Sequence, residues 1–335
     1  MPRTFLIDTD TASDDAVALI MALRSPDVHV AAITVVAGNV PLEQAVRNAL
    51  YTAELCGSSV PVFAGASRPL KRHYESAQWF HGRDGLGDQG YPPPKRKPES
   101  KHAVDAIVEV VSANPGIILV TLGPLTNVAL ALARSPEIVK NVSRCVVMGG
   151  NPCCEGNVTP AAEYNMWVDP EAARAVLRSG LPVELVGWHL CRGDANLIAS
   201  DIDYVLSLDT DLARFAIHSN HTAMEANRVQ TGEIGICLPD PTAMAIALDP
   251  SIATLSTRHY VDVETDSELT RGMTVVDRLG VTADERNRPI WQPLLEKEPA
   301  LVHWTLDIPR WKALLYKSLT EPRPQGSATT TGPRP

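Results

Sequence analysis

The chain has 335 residues, a hydrophobic content of 44% and a formal net charge of -9. This length allows one large core or two ordinary ones. The negative charge and the lack of a Lys/Arg run exclude a nucleic-acid partner, since phosphate binding needs clustered cations. Because no secretory leader and no apolar run of about 18 residues is recognisable, we expect a cytoplasmic protein with no membrane partner.

Apolar segments of strand length alternate with amphipathic helical segments through the first half of the chain. The segments that indicate buried strands are "TFLI", "VHVAAITVV", "VPVFA", "GIILVTL", "RCVVMGG" and "PVELVG". The helical segments between them include "DDAVALIMALRS", "LEQAVRNALYTAELC", "AVDAIVEVVSA" and "LTNVALALAR". This alternation is typical of βαβ units, and it predicts an α/β fold whose single open, mostly parallel sheet has at least six strands flanked by helices.

Three other segments depart from this alternation. Residues 68–100 form a polar connection rich in Gly and Pro, and a loop of that length is usually functional or disordered. Residues 201–236 have a helical pattern, and "HYVDVE" and "GMTVVDRLG" predict a small added β element before a helical C-terminal part. We predict one domain over residues 1–318 and a disordered tail over residues 319–335.

The strongest chemical signal is the acidic strand end in "FLIDTDTASDDAVALIMAL". Asp8, Asp10, Asp14 and Asp15 lie at the carboxyl end of a buried strand and in the first turn of a helix, where open α/β sheets bind ligands. Four such acids repel one another, which predicts a hard divalent cation between them. Helix capping is the alternative, but it explains Asp14 and Asp15 alone.

The same strand end resembles the N-terminal DTDPGxDD signature of the nucleoside hydrolase family, with Thr11 and Ala12 in place of Pro-Gly. Ordered resemblances continue through "VVAGNV", "HGRDGLGD", "LGPLTNVA", "VVMGG", "GNVTPAAEYNMWVDPEAA" and "LPDPTAMA". Together they cover roughly residues 4–248. The resemblance implies a nucleoside hydrolase-like fold with a Rossmann-like core and calcium-dependent hydrolysis of a nucleoside N-glycosidic bond. It also implies a homodimer or homotetramer.

The resemblance further assigns roles to individual residues. It implies that Ca²⁺ is bound by Asp10, Asp15, Asp240 and the main-chain carbonyl of Thr126, all of them oxygen ligands. It implies that a water held by this metal is the nucleophile and that Asp10 is its general base. The residues implied for substrate binding are Asp14, Asn39, Met148, Asn157, Glu163 and Asn165.

The leaving-group end of the site departs from the family pattern. Pro239 precedes Asp240, where many members have a histidine or a tryptophan. We therefore take His81 as the first candidate to activate the leaving base. The weaker candidates are His189, Arg228 and Trp188. Stacking on Trp79, Phe80 and Trp188 would slightly favour purine nucleosides.

Two other functions fit parts of the sequence. A haloacid-dehalogenase-type phosphatase would use "LIDTDT", with Asp8 as nucleophile, Asp10 as general acid and magnesium as cofactor. It leaves "GNVTPAAEYNMW" and "LPDPTAMA" without a role. A non-catalytic homologue that holds calcium and a ribosyl ligand is the second alternative, and only Pro239 supports it.

Overall fold

A computed structural model describes residues 2–320. The ten strands in this part of the chain are β1 Arg3–Thr9, β2 Val28–Val35, β3 Val62–Ala64, β4 Ile117–Thr121, β5 Val142–Met148, β6 Val183–Val186, β7 Ala253–His259, β8 Val261–Val263, β9 Thr274–Val276 and β10 Ala300–Leu306. Eight of them form one sheet in the order β3-β2-β1-β4-β5-β6-β10-β7. All neighbours in it are parallel except β10 and β7. The predicted α/β fold is confirmed.

Helices connect the strands. They are α1 Ser13–Arg24, α2 Leu42–Leu55, α3 Gln78–His81, α4 Ala103–Ala113, α5 Thr126–Arg134, α6 Tyr164–Val168, α7 Pro170–Leu177, α8 Ala199–Ser207, α9 Asp211–His218, α10 His221–Thr231, α11 Pro239–Leu248, α12 Arg288–Leu295 and α13 Ile308–Thr320. Strands β8 and β9 pair antiparallel outside the large sheet. They are the small β element that the sequence predicts.

The core consists of two apolar clusters that share the sheet. On β1, Phe5 and Ile7 belong to one cluster and Leu6 to the other, because successive side chains of a strand point to opposite faces. A strand buried on both faces is a continuous apolar run, which is why the sequence identifies β1. Among the described residues, no helix has the length and hydropathy needed to cross a membrane.

The far edge of the sheet differs from the sequence prediction. Strand β7, "ATLSTRH", is exposed or half-buried along its whole length and has no buried apolar run, so its pattern does not mark it as a strand. It pairs antiparallel with β10 at the sheet edge. At the C-terminus, α13 continues to Thr320, two residues beyond the predicted domain end at 318. Residues 321–335 of the predicted tail lie outside the described residues.

The centre of the sheet determines where functional residues meet. Strands β2, β1, β4 and β5 are adjacent and parallel, so the segments that follow them emerge at one edge. Asp10 follows β1, Asn39 follows β2, Leu122 follows β4, and Met148 ends β5. The short helix α3 lies in the long connection of residues 68–100 and carries His81.

Candidate active site

A cleft opens at this edge of the sheet. The predicted site residues that line it are Asp14, Asn39, His81, Met148, Asn157, Glu163, Asn165 and Asp240. Asp10 and Asp15 are fully buried next to it, and both accept hydrogen bonds from Asn39. The fold therefore brings together all the predicted acids and amides, although they are up to 230 positions apart in the sequence (240 − 10).

Three carboxylates form a compact cluster at the start of α1 and α11. Oxygen atoms of Asp14, Asp15 and Asp240 lie within 4.8 Å of one another, and all three residues are buried. Asp15 also caps α1, because its Oδ2 accepts the N–H of Ala12 at 2.9 Å. Its Oδ1 accepts the hydroxyl of Thr9 at 2.5 Å. The capping interpretation is therefore correct for Asp15, but it leaves Asp14 and Asp240 unexplained.

Asp10 is enclosed by backbone. Its Oδ2 accepts the N–H of Asn39 at 2.6 Å, and its Oδ1 has no hydrogen-bond partner. A Cβ atom at either Gly38 or Gly123 would overlap the Asp10 side chain. Only glycine allows both main-chain segments to approach so closely. The carboxylate is thus held in one orientation, with one oxygen still able to accept a ligand.

The electrostatics of this cluster favour a cation. Burial, followed by repulsion from Asp15, raises the pKa of Asp10 well above its ordinary value. Burial raises the pKa of Asp14 to about 6, and burial followed by repulsion from Asp15 raises that of Asp240 well above its ordinary value. Oδ1 of Asp14, like Oδ1 of Asp10, has no hydrogen-bond partner. Because a hard divalent cation uses such oxygen ligands and compensates their charge, these residues fit one.

The structure does not bring Thr126 to the cleft. Thr126 begins α5, donates its hydroxyl to Asp169 at 2.7 Å, and lines a separate surface depression beside His102. The main-chain segment that lines the cleft is at Leu122, four residues earlier. The Leu122 carbonyl accepts the side-chain amide of Asn165 at 2.8 Å, which leaves one lone pair available.

The segment of residues 157–165 forms a rigid polar wall. The carboxylate of Glu163 accepts the N–H groups of Gly150 at 2.7 Å and of Asn165 at 2.9 Å, so it caps α6. The side chain of Asn157 accepts the N–H of Tyr164 at 2.9 Å. Asn165 also donates to the Met148 carbonyl at 3.3 Å. These bonds fix the polar groups that face the cleft, which favours binding of a polyhydroxylated ligand such as a sugar.

His81 lies next to the acid cluster. Its Nδ1 is 2.8 Å from the hydroxyl oxygen of Ser13 and 3.8 Å from Oδ1 of Asp14. Burial lowers the pKa of His81 to about 4, although Asp15 opposes that shift. The imidazole is therefore neutral at pH 7, so it can exchange hydrogen bonds with a ligand but does not carry a spare proton.

The other candidates for leaving-group activation occupy different places. Trp188 lines the cleft, with the Arg192 guanidinium 4.4 Å from its ring centroid. Arg228 is exposed and pairs with Glu225. His189 is not among the lining residues, and its Nε2 is 3.1 Å from the carbonyl of His303. Pro239, Trp79 and Phe80 also line the cleft.

One face of α10, together with Asn220 just before it, contributes residues that the sequence analysis did not identify. Asn220, Ala223, Asn227 and Gln230 all line the cleft. Their spacing of three, four and three residues places them on one side of a helix. Nδ2 of Asn227 is buried without a hydrogen-bond partner. The sequence does contain a signal for this cleft-facing side: amides recur at helical spacing, where a helix that packs on the core would have apolar residues.

The phosphatase alternative requires Asp8 to face a substrate. Asp8 is instead fully buried in β1, and its Oδ1 accepts bonds from Thr34 at 2.6 Å and Asn127 at 2.9 Å. It does not line the cleft. The geometry therefore gives Asp8 a structural role that joins β1 to β2 and α5, and it offers no support for a nucleophile at this position.

Comparison with known proteins agrees with this geometry. Residues 5–304 match the family model described as "Inosine-uridine preferring nucleoside hydrolase". The pyrimidine-specific ribonucleoside hydrolase RihA of Salmonella typhimurium is 38% identical over 294 residues, which are 87% of this chain and 93% of the relative. An uncharacterized protein of Schizosaccharomyces pombe is 39% identical over 278 residues, 81% of this chain and 88% of its own.

Solved structures show the same fold. A plant nucleoside hydrolase superposes with a TM-score of 0.89 at 32% identity, covering 96% of this chain and all of that one. A purine-preferring ribonucleoside hydrolase from Gardnerella vaginalis has a TM-score of 0.85 at 30% identity, covering 95% and 98%. The matched range holds every acid of the cleft, so the chain belongs to the inosine-uridine preferring nucleoside hydrolase family, whose members are nucleosidases.

Proposed function

We propose that this protein hydrolyses the N-glycosidic bond of ribonucleosides in a calcium-dependent reaction, with water as the nucleophile. The observation that carries the proposal is the buried cluster of Asp14, Asp15 and Asp240, with the buried Asp10 joined to Asp15 through Asn39, beside the polar wall of residues 157–165. This arrangement combines a cation site with groups that suit ribose hydroxyls. It matches the chemical demands of glycoside hydrolysis, which needs a nucleophile and stabilisation of a cationic sugar.

The proposed calcium ligands are carboxylate oxygens of Asp10, Asp15 and Asp240 with the main-chain carbonyl of Leu122, which replaces Thr126 in the set. All are oxygen donors, as calcium prefers. When bound, the cation supplies positive charge that orients a water molecule, lowers its pKa and attracts ribose hydroxyls. Asp14 lies at the same cluster and lines the cleft, so we assign it to the ribose.

Asp10 is the proposed general base. The N–H of Asn39 fixes its Oδ2 at 2.6 Å, while its Oδ1 is free to accept a proton from water. The ribose contacts proposed with it are Asp14, Asn39, Met148, Asn157, Glu163 and Asn165. Because internal hydrogen bonds already hold the polar wall, the sugar is positioned without further ordering of these side chains.

We propose that residues lining the cleft form hydrogen bonds with the base as it leaves. We still propose that His81 contacts the base, and that it does so as a neutral imidazole near pH 7. The rings of Trp79, Phe80 and Trp188 line the cleft and favour the larger purine surface, which is our proposal for the preferred base. The relative RihA of Salmonella typhimurium is pyrimidine-specific, so the proposed purine preference distinguishes this protein from that relative.

A direct test is the release of free ribose from inosine, adenosine, guanosine, xanthosine, uridine and cytidine. We expect ribose from at least one of them, with the highest kcat/KM on a purine nucleoside. A higher kcat/KM for uridine or cytidine would reverse the proposed base preference while leaving the hydrolase intact. Nucleoside and calcium binding without ribose release would instead support the non-catalytic alternative.

We also propose a cytoplasmic homodimer or homotetramer. The support is the family membership, since relatives resemble the chain over nearly its whole length. Light scattering coupled to size exclusion would measure the molar mass, and a value near the 36.2 kDa of one chain would contradict the proposal.

A further inference from the structure

Two tyrosine hydroxyls meet at one main-chain oxygen beside the acid cluster. The Tyr74 hydroxyl donates to the carbonyl of Gly38 at 2.9 Å, and the Tyr164 hydroxyl donates to the same carbonyl at 2.7 Å. A carbonyl oxygen has two lone pairs, so it can accept both bonds. Tyr74 comes from the long connection of residues 68–100, and Tyr164 is the first residue of α6. Sequence reasoning gave neither tyrosine a role.

This carbonyl belongs to the peptide group whose N–H holds Asp10. The Gly38 carbonyl and the Asn39 N–H are the two polar ends of one peptide unit, and that N–H donates to Asp10 Oδ2 at 2.6 Å. Hydrogen bonds in a chain polarise one another, so donors at the carbonyl strengthen the N–H as a donor. They also fix the plane of the peptide and therefore the direction of the N–H.

Both hydroxyls remain donors across the physiological range. Burial, followed by the nearby charge of Asp10, raises the pKa of Tyr74 and of Tyr164 above the ordinary value of a tyrosine. The Tyr164 oxygen also lies 2.9 Å from the carbonyl of Glu75, and we assign its single proton to the nearer Gly38 carbonyl at 2.7 Å. Since a Cβ at Gly38 would overlap Asp10, no side chain of its own can hold this peptide.

We propose that Tyr74 and Tyr164 are positioning residues for the reaction: together they hold the Gly38–Asn39 peptide so that its N–H fixes the Asp10 carboxylate for proton transfer. The inference rests on the general-base role of Asp10 in the proposed function. It assigns a purpose to the long connection, because Tyr74 reaches the site from there. Neither tyrosine is proposed to act on the substrate itself.

The test compares Tyr74→Phe, Tyr164→Phe and the double variant with wild type. Each change removes one hydroxyl and keeps the ring. The matched control is Tyr316→Phe, which removes a hydroxyl bonded to Asp201 at 2.7 Å, away from the cleft. We expect kcat to fall about threefold in each single variant and about tenfold in the double variant, with KM within about twofold. The control should keep both constants.

The kinetic outcomes separate positioning from a general structural role. A lower kcat at constant KM supports the proposal, because the orientation of Asp10 matters in the transition state more than in substrate binding. Unchanged kcat in the double variant overturns it. A rise in KM without a change in kcat also overturns it, since that result would mean a loss of substrate contacts.

A crystal structure of the double variant gives a second readout that does not depend on turnover. We expect the Asn39 N–H to move beyond hydrogen-bond distance of Asp10 Oδ2 or the carboxylate to rotate. If the contact stays at 2.6 Å, the tyrosines do not position Asp10 and the inference fails. Wild type that releases no ribose from any nucleoside would refute the proposed function, and this structure would still decide the role of the tyrosines.

Discussion

Asp240 is the residue at which the cation proposal can be tested most sharply. After burial, the charges of Asp15, Asp14 and Asp10 are the next causes of its raised pKa. Without metal, Asp240→Asn removes one acid from a repelling cluster, so we expect the melting temperature of the metal-free protein to rise by about 2–4 °C. With one ligand lost, Ca²⁺ should bind at least about 100-fold more weakly in isothermal titration calorimetry.

The matched control is Asp203→Asn, an exposed acid in α8. It makes the same change of charge, so it should alter neither the melting temperature of the metal-free protein nor the calcium affinity. Full calcium affinity in Asp240→Asn would show that the cation lies elsewhere.

At the scale of single residues, the sequence indicates which types of ligand group form the site more reliably than it indicates their exact positions. Asp10 and Asp15 were identified as acids at a strand end, Asp240 was identified from the resemblance to the family, and the fold brings all three together. The main-chain ligand was predicted at Thr126, but the main-chain segment that lines the cleft is four residues earlier, at Leu122. Pattern reasoning could not detect this difference, because a carbonyl group is present at every position and carries no signature of its own. The side-chain hydroxyl of Thr126 is in fact occupied by Asp169.

Helix α10 is the element that we expect to limit the size of the leaving base. Ala223 lies in the middle of its cleft-facing row and is 4% exposed. Ala223→Leu would add three carbons on the cleft side, so we expect KM for the best substrate to rise at least about tenfold while calcium affinity stays unchanged. The measurement is steady-state ribose release together with calcium titration.

Ala226→Leu is the control on the same helix, because residue 226 is half-buried and outside the cleft lining. Its kinetic constants should equal those of wild type. An unchanged KM in Ala223→Leu would mean that the base does not approach α10.

Elements with a buried apolar face were predictable, and those without one were not. Strand β1 and helix α1 are buried almost throughout, so their patterns were plain. Strand β7 is an exposed edge strand, and the cleft face of α10 has amides where apolar residues normally define a helix. Strand β7 was therefore missed, and α10 was predicted as helical without its cleft-facing role, because pattern reasoning detects burial of apolar surface.

For the whole molecule, the buried acids predict how stability depends on pH. Burial raises the pKa of Asp8 to about 7 and those of Asp10 and Asp240 well above the ordinary value. Between pH 6.5 and 8.5 the folded chain therefore binds more protons than the unfolded chain, so the free energy of unfolding falls as pH rises. The lowered pKa of Glu184, about 2, acts only below this window. The lowered pKa of His81, about 4, opposes the fall at the lower end of the window, because the unfolded imidazole, with its ordinary pKa of 6.5, still binds protons there.

We thus expect the melting temperature in chelator to fall by about 3 °C or more from pH 6.5 to 8.5. Calcium should restore it, because a ligand that binds only the folded state stabilises that state. Differential scanning calorimetry with and without Ca²⁺ measures both effects. A melting temperature that rises with pH in chelator would show that the acid cluster is not destabilising.

The measurement that tests the central claim most directly is steady-state ribose release by wild type and Asp10→Asn, each with Ca²⁺ and with chelator. We predict release by wild type that chelator abolishes and added Ca²⁺ restores. We predict that kcat of Asp10→Asn is lower by about 10²–10⁴-fold, the usual effect of losing a general base. Undiminished kcat in Asp10→Asn, or release that chelator does not affect, would contradict the account.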